Sequence, residues 1–382
     1  MKNLCIITNK YPNPVEPNVL VFVQQLVWSM ADKGINCSVI CPMPVNLNTK
    51  YLKFPYKTSE TTENGTTVDV YFPKYIGYGQ SEILGFNPAR ITTNNFTNAV
   101  KKVITKMIDK PDAVYGHFVT PAGIAAARIG RLFNLPSFMA HGEATFMTID
   151  HFGASKVANE LKTLDGVVAV STQNKEMLLS VNAVKENVID VFPNGYRKER
   201  FYPREKIESR AKFGLPNDKF LVCFVGSFDY RKGIDRLMQA INKIDGVYAI
   251  CAGKGELTPS GESCLYNQAV DNKDLPYFYS AADVFVLPTL NEGCCNAIIE
   301  AMACGLPIIS SNLSFNDDIL DDSCSIRVNP SSVEEIKFAI NHLYNNKEKL
   351  KDLGKGSLQK SQSLTLEKRA EKILSFIATN AK

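Results

Sequence analysis

The sequence predicts an α/β protein made of two doubly wound units in tandem. Three observations point that way. Short apolar runs of strand length alternate with helical patterns along almost the whole chain. The alternation restarts after a turn-rich break near residue 193. The length, 382 residues, suits two ordinary domains better than one. Alternating strands and helices imply right-handed crossovers and mainly parallel sheets.

In order, Leu4–Thr8 reads as a first buried strand, Val19–Lys33 as a helix closed by Gly34, and Cys37–Cys41 as a second strand. Val68–Phe72 is a further strand and Ala89–Ile108 a long helix. The strand Ala113–Gly116, the helix Thr120–Phe133 and the strand Ser137–Ala140, ending at His141, follow. Gly166–Ser171 and the helix Thr172–Ser180 complete the first unit. The segment 193–203, rich in turn formers and charge, reads as a linker. Beyond it come strands at Phe220–Gly226, Val247–Ala252, Val284–Leu287 and Pro307–Ser310. Helices are expected at Gly233–Ile241, Pro276–Ala281, Asn296–Ala303, Val333–Tyr344 and Leu366–Ala378. Two such units place ligands at the carboxyl ends of their strands, in a cleft between them.

Composition excludes several functions. The formal charge is +4. Up to Asp190 there are 18 basic and 15 acidic residues, and 25 and 24 beyond it. Neither half is a polycation, so nucleic acid is not an expected partner. The ten cysteines form no C-x-x-C pair, which argues against zinc-ribbon and thioredoxin chemistry. They read as reduced, small hydrophobes of a cytoplasmic protein. The apolar start stops at Thr8-Asn9-Lys10, too short for a signal-peptide core. No segment approaches the roughly 20 apolar residues of a membrane span. The expected location is cytoplasmic, with peripheral contact at the inner face of the plasma membrane left open. The stretch Tyr71–Tyr78 reads equally as an acceptor lip, a membrane contact, or a strand followed by a packed loop.

The sharpest chemical signal runs from Asn291 to Pro307. Glu292 leaves a loop just after a strand, and Gly293 lets backbone approach a ligand closely. A helix then opens near Asn296, and its unsatisfied N–H groups suit a phosphate. The dipole adds about 0.3–1 kcal/mol. Glu300 stands where a carboxylate can accept two hydrogen bonds from ribose hydroxyls, while Glu292 can reach sugar hydroxyls. Taken singly, either glutamate could merely favour the helix dipole. The whole constellation is better read as a site.

The pattern Glu292-Gly293-Cys294-Cys295-Asn296 through Glu300-Ala301-Met302-Ala303-Cys304-Gly305-Leu306-Pro307 resembles the donor-binding motif of the family 4 retaining glycosyltransferases, which have the GT-B fold. Val225-Gly226-Ser227 through Arg231-Lys232-Gly233 is similar to that family's strand, turn and basic loop. Gly253-Lys254-Gly255 resembles its turn near the nucleotide base, and His141-Gly142-Glu143 its His-Gly-x-Asp element. Leu366-Glu367-Lys368-Arg369 resembles the start of a terminal helix that crosses back to the first domain.

The resemblance implies an acceptor-binding domain at 1–192 joined by the crossover segment 365–382, and a donor-binding domain at 204–364. It implies transfer of a sugar from a nucleoside diphosphate, with uridine as the expected base, to a hydroxyl of a saccharide or lipid-linked saccharide, in polysaccharide biosynthesis. The catalytic set it implies is Lys232, Glu292 and His141. Gly226, Ser227, Arg231, Gly253, Gly255, Gly293, Cys294, Cys295, Asn296 and Glu300 would bind the donor. His117 and Glu143 would meet the acceptor. Lys232 as a point charge on the leaving diphosphate agrees with the physics.

Two departures stand out. Ser227 occupies a place where many members have a phosphate-clamping arginine; either Arg231 takes over that role or the diphosphate is held less firmly. The first loop, Tyr11–Asn18, holds three prolines and no glycine. No D-x-D triplet occurs, so no metal and no other cofactor is expected. The alternatives are a sugar-nucleotide epimerase of the same fold, or a sugar-nucleotide-binding subunit without turnover. A dehydrogenase is disfavoured because the first strand leads into prolines rather than Gly-x-Gly-x-x-Gly.

Overall fold

The structure, a computed structural model, describes residues 1–78, 87–145 and 147–381. It divides into two units, Met1–Phe192 with Arg369–Lys382, and Pro193–Lys368. Lys382, the end of the expected crossover segment, lies outside the described residues.

Unit 1 contributes β1 (Asn3–Thr8), β2 (Asn36–Ile40), β3 (Met43–Pro44), β4 (Lys57–Thr61), β5 (Thr67–Tyr71), β6 (Lys74–Tyr75), β7 (Ala113–His117), β8 (Ser137–His141), β9 (Gly166–Ala169) and β10 (Ile189–Val191). Eight of them form one sheet in the order β10-β9-β8-β7-β1-β2-β5-β4, and β3 pairs with β6 separately. Only β4 runs antiparallel to its neighbour. Every residue of β7, β8 and β9 is buried. That is the signature of parallel strands covered on both faces, and it is why their sequences are continuous apolar runs. At the sheet edge, β4 instead alternates exposed and half-buried residues.

The helix Ala89–Lys106 buries Thr92, Phe96, Ala99, Val100, Val103 and Ile104, one face at helical spacing. The terminal helix Leu366–Asn380 buries Ala370, Ile373 and Ile377. From Arg369 onward it belongs to unit 1, where Phe376 packs edge-on against Phe138 and Phe192. Gly166 makes room for it: a Cβ there would stand 2.5 Å from the Phe376 ring.

Unit 2 contributes β11 (Phe220–Val225), β12 (Val247–Ala252), β13 (Cys264–Gln268), β14 (Val284–Leu287), β15 (Ile308–Ser311) and β16 (Ser325–Val328). They form an all-parallel sheet in the order β13-β12-β11-β14-β15-β16. The strand order reverses between β11 and β14, as it does between β1 and β7 in unit 1. Such switch points leave a crevice at the carboxyl ends of the strands. The core of unit 2 is continuous, from Leu221–Phe224 through Val284–Leu287 to Ile336, Ile340 and Leu343.

The expected helix Thr120–Phe133 begins later, at Ile124. Thr120 is extended (φ −122°, ψ 137°) and Phe118 has φ +74°. The turn Val119–Gly123 lies directly on the sheet, since a Cβ on Gly116 would meet the Ala122 carbonyl at 2.7 Å. Tertiary contact thus overrides a helical pattern. The segment 193–203 packs as part of unit 2, with Tyr196 bridging to Thr365. Among the described residues no helix is long and apolar enough to cross a membrane.

Candidate functional site

The carboxyl ends of β11 and β14 are adjacent at the switch point of unit 2. The turn after β11 carries Gly226 to Gly233, and the loop after β14 carries Thr289 to Cys295. Glu292 Oε1 receives three donors from these two segments. Lys232 Nζ is 2.5 Å away, Arg231 Nη1 2.6 Å and Thr289 Oγ1 3.3 Å. Arg231 also donates to the Asn291 carbonyl at 2.8 Å, tying the loops together. Burial alone would lower the proton affinity of Lys232, but the Cys295 thiol and the Glu292 carboxylate beside it hold it above that of an ordinary lysine. The ammonium therefore stays charged although it is largely enclosed.

The turn is built to aim Lys232. Asp229 accepts the Lys232 N–H at 2.8 Å and the Ser227 hydroxyl at 2.5 Å. Burial opposes its ionisation, yet these two donors and the charges of Arg231 and Lys232 hold the Asp229 carboxyl below its usual range. Gly233 has φ +80°, and a Cβ there would stand 2.5 Å from the Pro288 carbonyl. Only glycine fits both demands. Ser227, which stands where many members of the resembled family have an arginine, donates its hydroxyl to the Asp229 carboxylate. Asp229 carried no motif of its own, and only its spacing of three from Lys232 hinted at a turn.

Gly253 and Gly255 follow β12. A Cβ on Gly253 would fall 1.9 Å from the Gly226 carbonyl, and one on Gly255 2.2 Å from the Phe228 carbonyl. Both glycines therefore exist to let two turns touch, with Phe228 bridging to Gly255.

The helix Asn296–Ala303 starts at Cys295, which is extended (φ −84°, ψ 107°). Asn194 fixes this start: its side chain donates to Asn296 Oδ1 at 2.9 Å and to the Cys294 carbonyl at 3.2 Å. Its N–H also approaches Cys294 Sγ at 3.4 Å. Cys295 is buried, and burial raises its thiol even though Lys232 acts in the opposite direction. Gly293 is buried in the same loop. On the next turn but one, Glu300 Oε2 accepts the Tyr279 hydroxyl at 2.9 Å. Burial pushes the Glu300 carboxyl up to about 7, although Tyr279 and the nearby Arg200 charge resist. Arg200 in turn donates to Asn272 at 2.6 Å. Asn194 and Arg200 come from the segment read as a linker, and Tyr279 opens a run that resembles the family's approach to the glutamate loop, but none of the three was assigned a role.

In unit 1 His141 ends β8 and is fully buried. Its Nδ1 is 2.6 Å from Glu143 Oε2, and its Nε2 is 3.4 Å from Asn174 Nδ2. Its carbonyl accepts the Val170 N–H at 3.0 Å. The resemblance implies that the side chain or the carbonyl of His141 meets the donor sugar; in the structure the two ring nitrogens face Glu143 and Asn174. Glu143 also receives the Val119 N–H at 2.7 Å. Burial works against it, but His141 and these hydrogen bonds keep its carboxyl below the usual range. His117 ends β7 and is nearly enclosed, among Phe22, Phe118 and Tyr115. Its Nδ1 has no hydrogen-bond partner among the described residues. Burial and then the Arg369 charge lower it to about 3.

Residues 205–360 match the family described as Glycosyl transferases group 1. The chain carries a glycosyl transferases group 1 domain. That domain spans the Lys232, Glu292 and Glu300 cluster just described. TuaC of Bacillus subtilis, a glycosyltransferase provisionally assigned to teichuronic acid biosynthesis, is 28% identical over 348 residues, covering 87% of each chain. The D-inositol 3-phosphate glycosyltransferase of Mycolicibacterium smegmatis is 27% identical over 192 residues, 45% of this chain and 43% of that one. Among solved structures, a sucrose-phosphate synthase from Thermosynechococcus elongatus superposes with a TM-score of 0.76 at 20% identity, covering 99% of both chains. Anabaena HepE in complex with UDP superposes with a TM-score of 0.74 at 15% identity, covering 99% of this chain and 100% of that one. The fold is therefore that of the GT-B glycosyltransferases.

Proposed function

We propose that the protein is a retaining, metal-independent glycosyltransferase. It would move a sugar from a UDP-sugar to a hydroxyl of a saccharide or lipid-linked saccharide in polysaccharide biosynthesis. The observation that carries this reading is the convergence of Lys232, Arg231 and Glu292 at the carboxyl ends of β11 and β14, beside the start of the Asn296 helix. Lys232 and Arg231 set two cations where a diphosphate can bind, and the carboxylates of Glu292 and Asp229 balance them without it. The UDP and UDP-glucose held by HepE support a uridine donor, and the name of TuaC supports a polysaccharide product.

In this reading Lys232 neutralises charge on the departing diphosphate, and Arg231 assists in place of the arginine that Ser227 replaces. A diphosphate competes with Glu292 for Lys232, and so frees the Glu292 carboxylate for sugar hydroxyls. Gly226, Gly293, Cys294, Cys295 and the N–H groups at Asn296 line the phosphate side. Gly253 and Gly255 shape the base side. Glu300 accepts the ribose hydroxyls. The departing phosphate oxygen takes the acceptor proton on the same face, so no covalent nucleophile is called for. His141 acts as a positioning residue that holds Glu143, and Glu143 and His117 face the acceptor. Unit 1 with the terminal helix binds the acceptor, and unit 2 the donor. Ten free thiols suit a reducing, cytoplasmic compartment.

Calorimetry against UDP-, GDP- and ADP-sugars, with and without a chelator, tests this. Binding of one sugar nucleotide, indifferent to the chelator, is expected. A folded protein that binds none of them, or binds only with metal, would overturn the reading.

A further inference from the structure

Asn174 is buried on the first turn of the helix Thr172–Ser180, which follows β9. No motif includes it, and the sugar-nucleotide reading gives it no role. Ser171 fixes its amide. The Ser171 side chain caps the helix by accepting the Asn174 N–H at 3.2 Å, and its hydroxyl donates to Asn174 Oδ1 at 2.9 Å. Nδ2 is thereby turned the other way.

The Glu143 carbonyl enforces the same orientation, because Nδ2 lies 2.8 Å from it. A carbonyl oxygen can only accept. An amide flipped over would set two buried acceptors face to face. Nδ2 carries two protons. One goes to the Glu143 carbonyl. The other is left for His141 Nε2 at 3.4 Å, with Met177 Sδ a weaker acceptor beside it at 3.8 Å.

The fully buried His141 ring is therefore read from both ends. Its Nε2 meets a donor and must offer its lone pair. Its Nδ1 meets the Glu143 carboxylate, an acceptor, at 2.6 Å, and must carry the proton. Which ring nitrogen is protonated is set by the hydrogen bond that the other makes. A proton on Nε2 would point one N–H at another.

The line of donors continues beyond the ring. Glu143 Oε1 accepts the Val119 N–H at 2.7 Å, and Oε2 also receives the Gly142 N–H at 3.2 Å. Val119 follows Phe118, whose φ of +74° is one that a residue with a side chain seldom adopts, so this turn needs holding. Asn174, His141, Glu143 and Val119 thus form one hydrogen-bonded line past the carboxyl ends of the neighbouring strands β9, β8 and β7.

We propose that Asn174 is a positioning residue: it locks His141 in the Nδ1–H tautomer and so fixes the Glu143 carboxylate on the Val119 turn. With its proton committed to Glu143, the His141 ring has none to offer a bound sugar. That consequence rests on the transferase reading, whereas the tautomer does not.

Nitrogen NMR of the full chain labelled at histidine, at about pH 7.5 and so above the range of a free histidine, tests it. His117→Gln, His151→Gln and His342→Gln assign three signals and leave the fourth to His141. His141 is expected to show a protonated Nδ1 and an unprotonated Nε2. In Asn174→Asp the new carboxylate accepts instead of donating, and Nε2 should move to the protonated position. In Asn174→Ala the Val119 amide should exchange with deuterium at least several-fold faster, while the amides of β1 and β2 keep the parent's rates. A protonated Nε2 in the parent chain overturns the proposal whether or not the variants fold. So does an Asn174→Asp protein with the parent's tautomer, or Val119 exchange unchanged in Asn174→Ala. Neither readout needs a bound sugar nucleotide, so this proposal and the transferase reading fail separately.

Discussion

Lys232 Nζ lies 2.5 Å from Glu292 Oε1, joining the ends of β11 and β14. The contact pairs a lysine with a carboxylate in a place that is only one-eighth exposed on either side, so each charge depends on the other. Lys232→Ala should lower kcat by roughly 10²- to 10³-fold while leaving the circular dichroism spectrum unchanged. Glu292→Gln should separate the two roles. It removes the competitor for Lys232, so UDP binding should hold or tighten while transfer falls. Equal losses of UDP affinity and turnover in Glu292→Gln would count against the competition.

Glu300 sets a pH dependence. Its carboxyl is held up to about 7, and the ribose hydroxyls proposed to bind there would donate to the ionised form. Affinity for a UDP-sugar should therefore rise as pH increases through about 7 and level off above it. The same shift bears on stability. Because the folded pKa is raised, ionising Glu300 costs stability as pH rises from the unfolded carboxyl range toward 7. Glu300→Gln should then melt higher than the parent at pH 8 and match it at pH 4.5, and should bind the nucleotide less well at pH 8 with little difference at pH 4.5. Calorimetry and melting curves across that range decide it.

His117 works in the opposite sense. Its folded pKa, about 3, is below that of a free histidine, so the unfolded chain binds the extra proton first. The stability it contributes is present above about 6.5 and lost as pH falls toward 3. His117→Gln should flatten the acid side of the stability profile. A variant with the parent's acid limb would show that other groups dominate.

Gly253→Ala tests the contact between turns. Its Cβ would need the space of the Gly226 carbonyl, 1.9 Å away, so backbone must move. A loss of about 2–4 kcal/mol of stability is expected, with nucleotide affinity lost in the surviving folded fraction. Gly34→Ala is the control for a glycine with open space, where only the φ of +83° is strained. Its cost should be nearer 1 kcal/mol, about that of one left-handed residue. Urea titrations of the two variants compare them directly.

Asn194→Ala probes the loop from behind. It removes the side-chain donors that fix Cys294 and Asn296. KM for the donor should rise several-fold with kcat changed less, and Asn194→Asp should not rescue, because it replaces the donor with an acceptor. An unchanged KM would mean that the loop holds its shape without Asn194.

Much of this molecule was legible in the sequence because parallel strands buried on both faces leave unbroken apolar runs. β1, β7, β8, β11, β12 and β14 were readable for that reason, as were the helices with one apolar face. The pattern from Glu292 to Pro307 marked the candidate site because loop glycine, helix start and carboxylate spacing are all local. The edge strands β4, β13 and β16 left no such mark, since half-exposed residues carry no apolar run.

What only the tertiary structure decided lies wherever a residue's partner is distant in sequence. Asn194 reaches Asn296 across a hundred positions, Tyr279 meets Glu300, and Ser227 proves to serve Asp229. His141 turned out to be enclosed by Glu143 and Asn174, and Thr120 left the helix its pattern suggested because the chain there lies against Gly116. Periodicity and local motifs fix which face of an element is apolar. They do not encode which other element will cover that face, nor how burial there will move a proton, because both depend on packing between distant segments.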